Sequence, residues 1–155
     1  MLILPLGNEH ERKGFDCGND DLNHWLRQVA GQHGRKGLSR TFVAVESTNS
    51  VQMLGFYAVT LAELLHADLP PALRRKYPPK VHAWRLGRLA VSTLHQSRRI
   101  GQVLLFDAME RTSRLAAEGG GVGLVVDAKP EAVAFCTQYG FESLPESPGH
   151  LFLEF

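Results

Sequence analysis

Residues 96–102 combine side chains and a position in the chain that suit the binding of an anion. The apolar run at 82–91 predicts a strand before them, and apolar periodicity predicts a helix after them. At such a junction the helix N-terminus presents unpaired N–H groups and a positive dipole end. Arg98 and Arg99 add positive charge. The segment is therefore predicted to bind a pyrophosphate, and the alternative is a basic loop that only caps the helix.

The same segment resembles the acetyl-CoA motif of GNAT N-acetyltransferases, Q/R-x-x-G-x-G/A. Gln96 and Gly101 match its first and last positions. Arg99 stands where the motif has a glycine, so either its side chain is a further phosphate ligand or cofactor affinity is reduced. The resemblance implies acetyl-CoA as the cofactor. It assigns to cofactor binding Leu89, Ala90, Val91, Gln96, Ser97, Arg98, Arg99, Ile100, Gly101, Gln102 and Phe135.

Further blocks are similar to one branch of that family, the GNAT toxins of type II toxin–antitoxin pairs. They lie at residues 15–26, 86–91, 125–128 and 134–141, in the order and spacing of the branch. The resemblance implies an acetyl-CoA-dependent N-acetyltransferase that acetylates the amino group of aminoacyl-tRNA. It also implies a ribbon-helix-helix antitoxin as a partner, and it allows a homodimer.

The expected proton donor differs from that branch. Cys136 stands where the branch has a tyrosine whose hydroxyl protonates the departing coenzyme A thiolate. A thiol, with a reference pKa of about 8.5 against about 10 for a phenol, is a feasible acid, but the cysteine side chain is shorter. Tyr139 is the second catalytic candidate. The alternative is that Cys136 is only a small apolar residue on the inner face of a helix.

No side chain stands out as the base that would deprotonate the acceptor amine. The candidates in the middle of the chain are Glu46, Glu63, Asp68, His66, His82 and His95. An α-amino group has a pKa near 8 and is already partly neutral at cellular pH. The reaction therefore needs little help from a base.

Charge is distributed unevenly along the chain. The whole sequence has a net charge of +1, yet residues 27–99 hold twelve Lys or Arg against three acids, which gives that segment +9. Such asymmetry indicates an anionic partner, with a solvated basic surface as the alternative. Charged tRNA would be held by salt-sensitive phosphate contacts, and an acidic antitoxin tail would fit the same bases. The bases expected in loops, and assigned to tRNA, are Arg35, Lys36, Arg40, Arg74, Arg75 and Lys76.

The elements that position these residues follow from the hydrophobic pattern. Asn19 is the predicted N-cap of a first helix that ends near Gly31, and residues 31–40 are expected to form a mobile basic loop. Two later helices are expected, one after Gly101 and one from Pro130 to a C-cap at Gly140. Strands are predicted at 2–5, 41–46, 53–60, 82–91, 122–126, 141–143 and 150–154.

This order predicts an α/β chain with a β-α-β crossover around the 96–102 segment. The resemblance refines it to a GNAT fold, a mixed sheet of about six to seven strands with helices on both faces. The length of 155 residues predicts one domain, 1–155.

The cysteine content and the lengths of the apolar runs indicate the cellular location that is expected for the protein. Cys17 and Cys136 lie far apart without a ligand pattern, which argues against a disulfide framework and against a metal site. No apolar run approaches the ~20 residues that cross a bilayer. A cytoplasmic location is expected. Two other functions stay open: a GNAT that acetylates a small amine or a protein N-terminus, and a catalytically weakened acetyl-CoA-binding homologue.

Overall fold

The computed structural model describes residues 1–155 as an alternation of strands and helices that matches the predicted order. The strands are β1 (Leu2–Pro5), β2 (Arg40–Val45), β3 (Gly55–Leu65), β4 (Lys80–Val91), β5 (Gly123–Asp127), β6 (Glu142–Leu144) and β7 (Ser147–Glu154). The α-helices are α1 (Asp20–His24), α2 (Ala30–Lys36), α3 (Ile100–Gly119) and α4 (Pro130–Thr137). A π-helical turn spans Trp25–Val29, and 3₁₀-helical turns span His66–Asp68, Pro71–Leu73 and Thr93–Arg98.

The seven strands form one mixed sheet in the order β1-β2-β3-β4-β5-β7-β6, which confirms the predicted strand number. The chain divides into two compact units, and β3, β4 and α3 each contribute residues to both. The first unit comprises Met1–Thr60 and Gly87–Ala108, and the second comprises Leu61–Leu86 and Met109–Phe155. None of the helices is both long and apolar enough to cross a membrane.

In the first unit, β1, β2 and the start of β3 pair antiparallel. The predicted hairpin is confirmed, since Val43 lies opposite Phe56. The aromatic core lies beside this sheet: Trp25 stacks on Phe56 with ring centroids 6.0 Å apart, and Phe15 meets Phe56 edge-on at 5.6 Å. Burial of such rings supplies much of the stabilisation of this unit.

The first helical segment begins as predicted but ends later. Asn19 is the N-cap, and its side chain accepts a hydrogen bond from Leu22 N at 3.1 Å. The helix continues through Gly31 to Lys36 and ends at Gly37, whose φ of 73° only glycine adopts without strain. The predicted loop at 31–40 is therefore wrong except for residues 37–39: Arg35 and Lys36 lie in the last turn of α2, and Arg40 begins β2. Packing of Trp25, Leu26 and Ala30 in the core outweighs the cost of the internal glycines, about 1 kcal/mol each.

In the second unit, β4 runs parallel to β5, with Arg85 opposite Val125. The predicted crossover through α3 is therefore confirmed. β7 pairs antiparallel with both β5 and β6, and Val125 and Phe152 belong to the core. Gly123 is required here, because a Cβ would lie 2.4 Å from the carbonyl oxygen of Leu153.

Glycines with positive φ follow both α3 and α4, although only the one after α3 stands where the predicted helix end lies. Gly120 and Gly121, with φ of 95° and 125°, stop α3. Pro130 lies in the first turn of α4, as predicted. The C-cap of α4 is Gln138 rather than Gly140, which follows two residues later with φ of 97°.

Candidate functional site

The carboxyl-terminal part of β4 is the first element of the site. Its register with β5 ends at Leu86 and Val126, before β4 itself ends at Val91. Leu89 and Val91 are half-buried and Ala90 is buried. Gly55 allows a close approach here, because a Cβ at that position would lie 2.7 Å from the carbonyl oxygen of Ala90. This stretch of β4 therefore leaves backbone groups available to a partner other than β5.

The polar segment after β4 is more regular than predicted. It forms a 3₁₀ helix, Thr93–Arg98, whose N-cap is Ser92. The Ser92 hydroxyl accepts a hydrogen bond from Leu94 N at 3.3 Å. Arg99 follows with φ of 57° and ψ of 27°, and it is the one residue other than glycine with a positive φ. A side chain in this left-handed conformation costs about 1–2 kcal/mol. The conformation explains why glycine is the residue that the acetyl-CoA motif prefers at this point.

The start of α3 supplies the donors of the site. Its first helical hydrogen bond runs from Val103 N to Arg99 O at 3.2 Å. The N–H groups of Ile100, Gly101 and Gln102 precede that bond and lack helical acceptors. A Cβ on Gly101 would make ordinary van der Waals contacts, 3.6 Å from Val91 and 4.0 Å from Leu89, so Gly101 packs against the end of β4. These groups fit a pyrophosphate, because three adjacent N–H donors lie at the positive end of a 20-residue helix.

The two arginines of the segment differ in their partners. Arg98 forms an ion pair with Glu46 at 2.6 Å. The hydrogen bond from Arg98 lowers the pKa of Glu46, and the same contact raises the pKa of Arg98. The Arg99 side chain is exposed and forms no ion pair. Arg99 therefore supplies the uncompensated positive charge next to the α3 N-terminus.

The stretch at residues 15–19 lies directly against this segment. Thr93 N donates to Asp16 O at 2.8 Å. The Gln96 side chain donates to the carbonyl oxygens of Cys17, at 3.4 Å, and of Val91, at 3.3 Å. The segment at 96–102 is thus held by residues about eighty positions earlier in the chain.

Asp16 and Asn23, for which no role was predicted, hold this contact in place. Asn23 is buried, accepts from Cys17 N at 3.0 Å and donates to the Asp16 carboxylate at 2.9 Å. The Asp16 carboxylate also accepts from Gly18 N at 2.8 Å. Hydrogen bonds from Gly18 and then Asn23 lower the pKa of Asp16. A polar residue among the apolar positions of the first helix was the available signal for Asn23.

The candidate proton donors lie at the end of α4. Cys136 is buried, and burial raises the pKa of its thiol. Tyr139 lies beyond the last residue of α4, half-buried, and its ring meets that of Phe135 edge-on at 5.3 Å. A buried thiol with a raised pKa keeps its proton at neutral pH, which a general acid requires. It also matches the alternative of a small apolar residue.

A polar cluster follows the carboxyl end of β5. The Asp127 carboxylate pairs with Arg85, and it contacts His150 Nδ1 at 2.9 Å. His150 Nε2 lies 3.2 Å from the carbonyl oxygen of Asp68. Asp68, Asp127 and His150 line a cavity of about 680 Å³. Among the predicted base candidates only Asp68 borders this cavity, and no role there was predicted for Asp127 or His150.

The bases assigned to tRNA fall into two groups. Arg35, Lys36 and Arg40 lie in the first unit, and all three are exposed. Arg74, Arg75 and Lys76 lie in the second unit, in a turn as predicted. Of these, Arg74 pairs with Glu146 at 3.1 Å and Lys76 pairs with Glu154 at 2.8 Å. The charge of the second group is therefore largely neutralised within the protein.

Known proteins resemble the chain along its whole length, although no protein-family model matches it. It is 36% identical over 140 residues to a tRNA-acetylating toxin of Mycobacterium tuberculosis, with coverage of 90% of this chain and 82% of the relative. It is 26% identical over 166 residues to the probable toxin TacT of Sinorhizobium fredii, with coverage of 98% and 90%.

Solved structures of toxins superpose on the fold of this chain. AtaT complexed with acetyl-methionyl-tRNA superposes with a TM-score of 0.88 at 26% identity, covering 99% of this chain and 94% of that one. A tyrosine-to-phenylalanine mutant of KacT superposes with a TM-score of 0.90 at 25% identity and the same coverage. AtaTR bound with acetyl-CoA superposes with a TM-score of 0.84 at 28% identity, covering 99% and 92%. The chain belongs to the GNAT-fold acetyltransferase toxins of type II toxin–antitoxin systems.

Proposed function

We propose that the protein transfers the acetyl group of acetyl-CoA to the α-amino group of an amino acid carried by tRNA. The observation that carries this proposal is the end of β4, where a strand edge, a left-handed Arg99 and the N-terminus of α3 follow in sequence. The close relationship to a tRNA-acetylating toxin supports the acceptor.

The cofactor supplies an acetyl group activated as a thioester, and the chain binds and orients it. The backbone of Leu89–Val91 would hydrogen-bond the pantetheine arm, since its register with β5 has ended. The N–H groups of Ile100, Gly101 and Gln102 would hold the pyrophosphate, with Arg99 adding a charge-assisted contact. Gln96, Ser97 and Arg98 shape the turn, and Phe135 would border the cofactor.

Cys136 or Tyr139 would return a proton to the departing thiolate. Burial raises the pKa of Cys136, which keeps the thiol protonated at neutral pH. Its side chain is also almost fully covered, with an exposed fraction of 5%. Cofactor binding is therefore better supported than rapid turnover.

The acceptor would be held by phosphate contacts. Arg35, Lys36 and Arg40 are the stronger candidates, because Arg74 and Lys76 already pair with carboxylates. The structure of mutant AtaT bound to the C-terminus of the antitoxin AtaR motivates an antitoxin partner for this chain. A cytoplasmic location, where charged tRNA is found, completes the proposal.

Purified protein incubated with acetyl-CoA and a pool of aminoacyl-tRNAs provides the test. N-acetylated amino acids should appear after hydrolysis of the ester bond and be detected by mass spectrometry. Gly101→Glu should abolish the product, because it places a carboxylate among the N–H donors, and Glu118→Gln is a distant control. Acetylation of free amines or protein N-termini, with aminoacyl-tRNA untouched, would overturn the proposal.

A further inference from the structure

A second cavity, of about 430 Å³, lies in the first unit between β1, β2 and α2. Three arginines border it: Arg12, Arg35 and Arg40. None of them forms an ion pair with a carboxylate, although Arg12 donates to Gly7 O at 3.3 Å and Arg40 donates to Gly34 O. The cavity is thus lined by positive charge that the protein does not neutralise.

The wall of this cavity is built from helix glycines. Gly31 and Gly34 lie three residues apart on α2, and both line the cavity. A Cβ at Gly31 would lie 2.9 Å from Arg12 Nη1 and 3.3 Å from Arg35 Nη1. The two guanidinium groups therefore occupy the space that a side chain would take. Like charges this close repel one another, so the arrangement favours an anion between them.

A buried polar group without a partner lies beside the three arginines. Thr41 lines the cavity, with an exposed fraction of 7%, and its hydroxyl has no hydrogen-bond partner. A buried hydroxyl without a partner costs about 1–3 kcal/mol, so such groups are rare unless a ligand or water completes them.

We propose that this cavity binds a phosphate group of the tRNA backbone. A backbone phosphodiester and a carboxylate both carry one negative charge and two strongly accepting oxygens, and a single guanidinium can satisfy either. A polynucleotide differs because it presents such groups in succession, so the three guanidinium groups can meet one phosphate and its neighbours along the strand. The exposed Lys36 extends the positive surface beyond the cavity. This proposal rests on aminoacyl-tRNA being the acceptor and adds Arg12, Thr41 and the two glycines to its recognition.

The test uses Arg12→Ala and Gly31→Ala with Lys13→Ala as the matched control, since Lys13 is an exposed base next in sequence that does not line the cavity. Both cavity variants should raise KM for full-length aminoacyl-tRNA about tenfold at unchanged kcat. The slope of log affinity against log salt should fall by about one for Arg12→Ala. Acetylation of an aminoacyl ester of a single nucleoside should not change.

Thermal unfolding distinguishes a variant that has lost phosphate binding from one that has lost stability. Gly31→Ala improves the helix propensity of α2, and Thr41→Val removes an unsatisfied hydroxyl, so both should raise Tm in the absence of ligand. Inorganic phosphate should raise the Tm of the wild type and of Lys13→Ala, but less or not at all for the cavity variants.

Distinct outcomes address the site and the reaction. Equal KM values and salt slopes for Arg12→Ala and Lys13→Ala would overturn the phosphate site while leaving the reaction intact. A wild type that binds phosphate in this cavity but does not acetylate aminoacyl-tRNA would overturn the reaction instead. If Arg12→Ala weakens binding of an antitoxin peptide and leaves tRNA unaffected, the cavity is a carboxylate site and the tRNA assignment is wrong.

Discussion

Arg99 shows how a single residue can be strained and useful at once. Its left-handed backbone disfavours any side chain, yet its guanidinium is the uncompensated charge of residues 96–102. The sequence left open whether Arg99 helps or weakens cofactor binding. The ion pair of Arg98 with Glu46 supports the first possibility, that Arg99 strengthens cofactor binding. Because Arg98 is already paired, Arg99 is the arginine available to bind a phosphate.

Arg99→Gly should therefore change the stability of the fold and the affinity for acetyl-CoA in opposite directions. Removal of the side chain relieves the strained backbone, and we expect a gain of up to about 1 kcal/mol, or a few degrees in Tm. The dissociation constant for acetyl-CoA should rise several-fold, because a charge-assisted hydrogen bond is lost. Calorimetric titration and thermal unfolding measure the two effects. Arg99→Lys keeps both charge and strain and should change neither; tighter binding by Arg99→Gly would contradict the role of Arg99 as a ligand.

Cys136 gives a second prediction at this scale. Cys136→Tyr should raise kcat by at least about tenfold, because a phenol has the reach that a buried thiol lacks. Cys136→Ser is the size-matched control. Tm must be followed, since a larger side chain at a buried position costs about 1–3 kcal/mol. An unchanged kcat in a folded variant would mean that the proton comes from elsewhere, and Tyr139→Phe would then be the next test.

At the scale of elements, the segment from Thr93 to Gln102 is held by the residues that precede the first helix. Asp16 links the two through its carbonyl oxygen, while its carboxylate is fixed by Gly18 and Asn23. These bonds lower the pKa of Asp16, so its stabilising contribution is present above the ordinary aspartate pKa and is lost as pH falls through the lowered value.

The corresponding prediction concerns the loss of stability at acidic pH. Asp16→Asn should lower Tm at neutral pH, and the difference from wild type should shrink as the pH falls below 4. Thermal unfolding between pH 7 and pH 3 measures this. Acetyl-CoA affinity at neutral pH should fall as well, because the 3₁₀ helix loses a fixed neighbour. Asp21→Asn is a control in the first turn of α1 that lies outside this network. Parallel curves for wild type and Asp16→Asn would contradict the assignment.

The elements also show what a sequence can and cannot reveal. Asn19 as N-cap, Pro130 at the start of α4 and the crossover around α3 were predictable, since each depends on local chemistry or a long apolar pattern. The continuation of α2 through Gly31 was not, because glycine has low helix propensity and only the packed core overrides it. The contact of Cys17 with Gln96 was also hidden, as no local signal marks hydrogen bonds between distant segments.

At the scale of the whole molecule, charge that is counted in a sequence differs from charge that is available. The excess of bases at 27–99 predicted an anionic partner, but ion pairs neutralise several of them in the folded chain. The two basic groups assigned to tRNA should therefore not be equivalent. A single domain over 1–155 stays a prediction.

Charge-reversal variants compare the contributions of the two basic groups to tRNA binding. Arg35→Glu with Lys36→Glu should raise KM for aminoacyl-tRNA strongly and flatten its salt dependence. Arg75→Glu with Lys76→Glu should have a smaller effect on KM. This pair should also decrease Tm, because Glu154 loses its ion pair with Lys76, the contact that lowers the pKa of Glu154. Initial rates at several salt concentrations give both slopes. Equal effects of the two pairs on KM would contradict the distinction.

The position of β7 in the sheet has a consequence for the order of folding. β7 lies between β5 and β6 and supplies Phe152 to a buried core. Because β6 pairs with β7 and not with β5, β6 can join the sheet only after β7 has paired with β5. The hairpin of β6 and β7 should therefore open as one unit, with β6 exchanging its amide hydrogens no more slowly than β7.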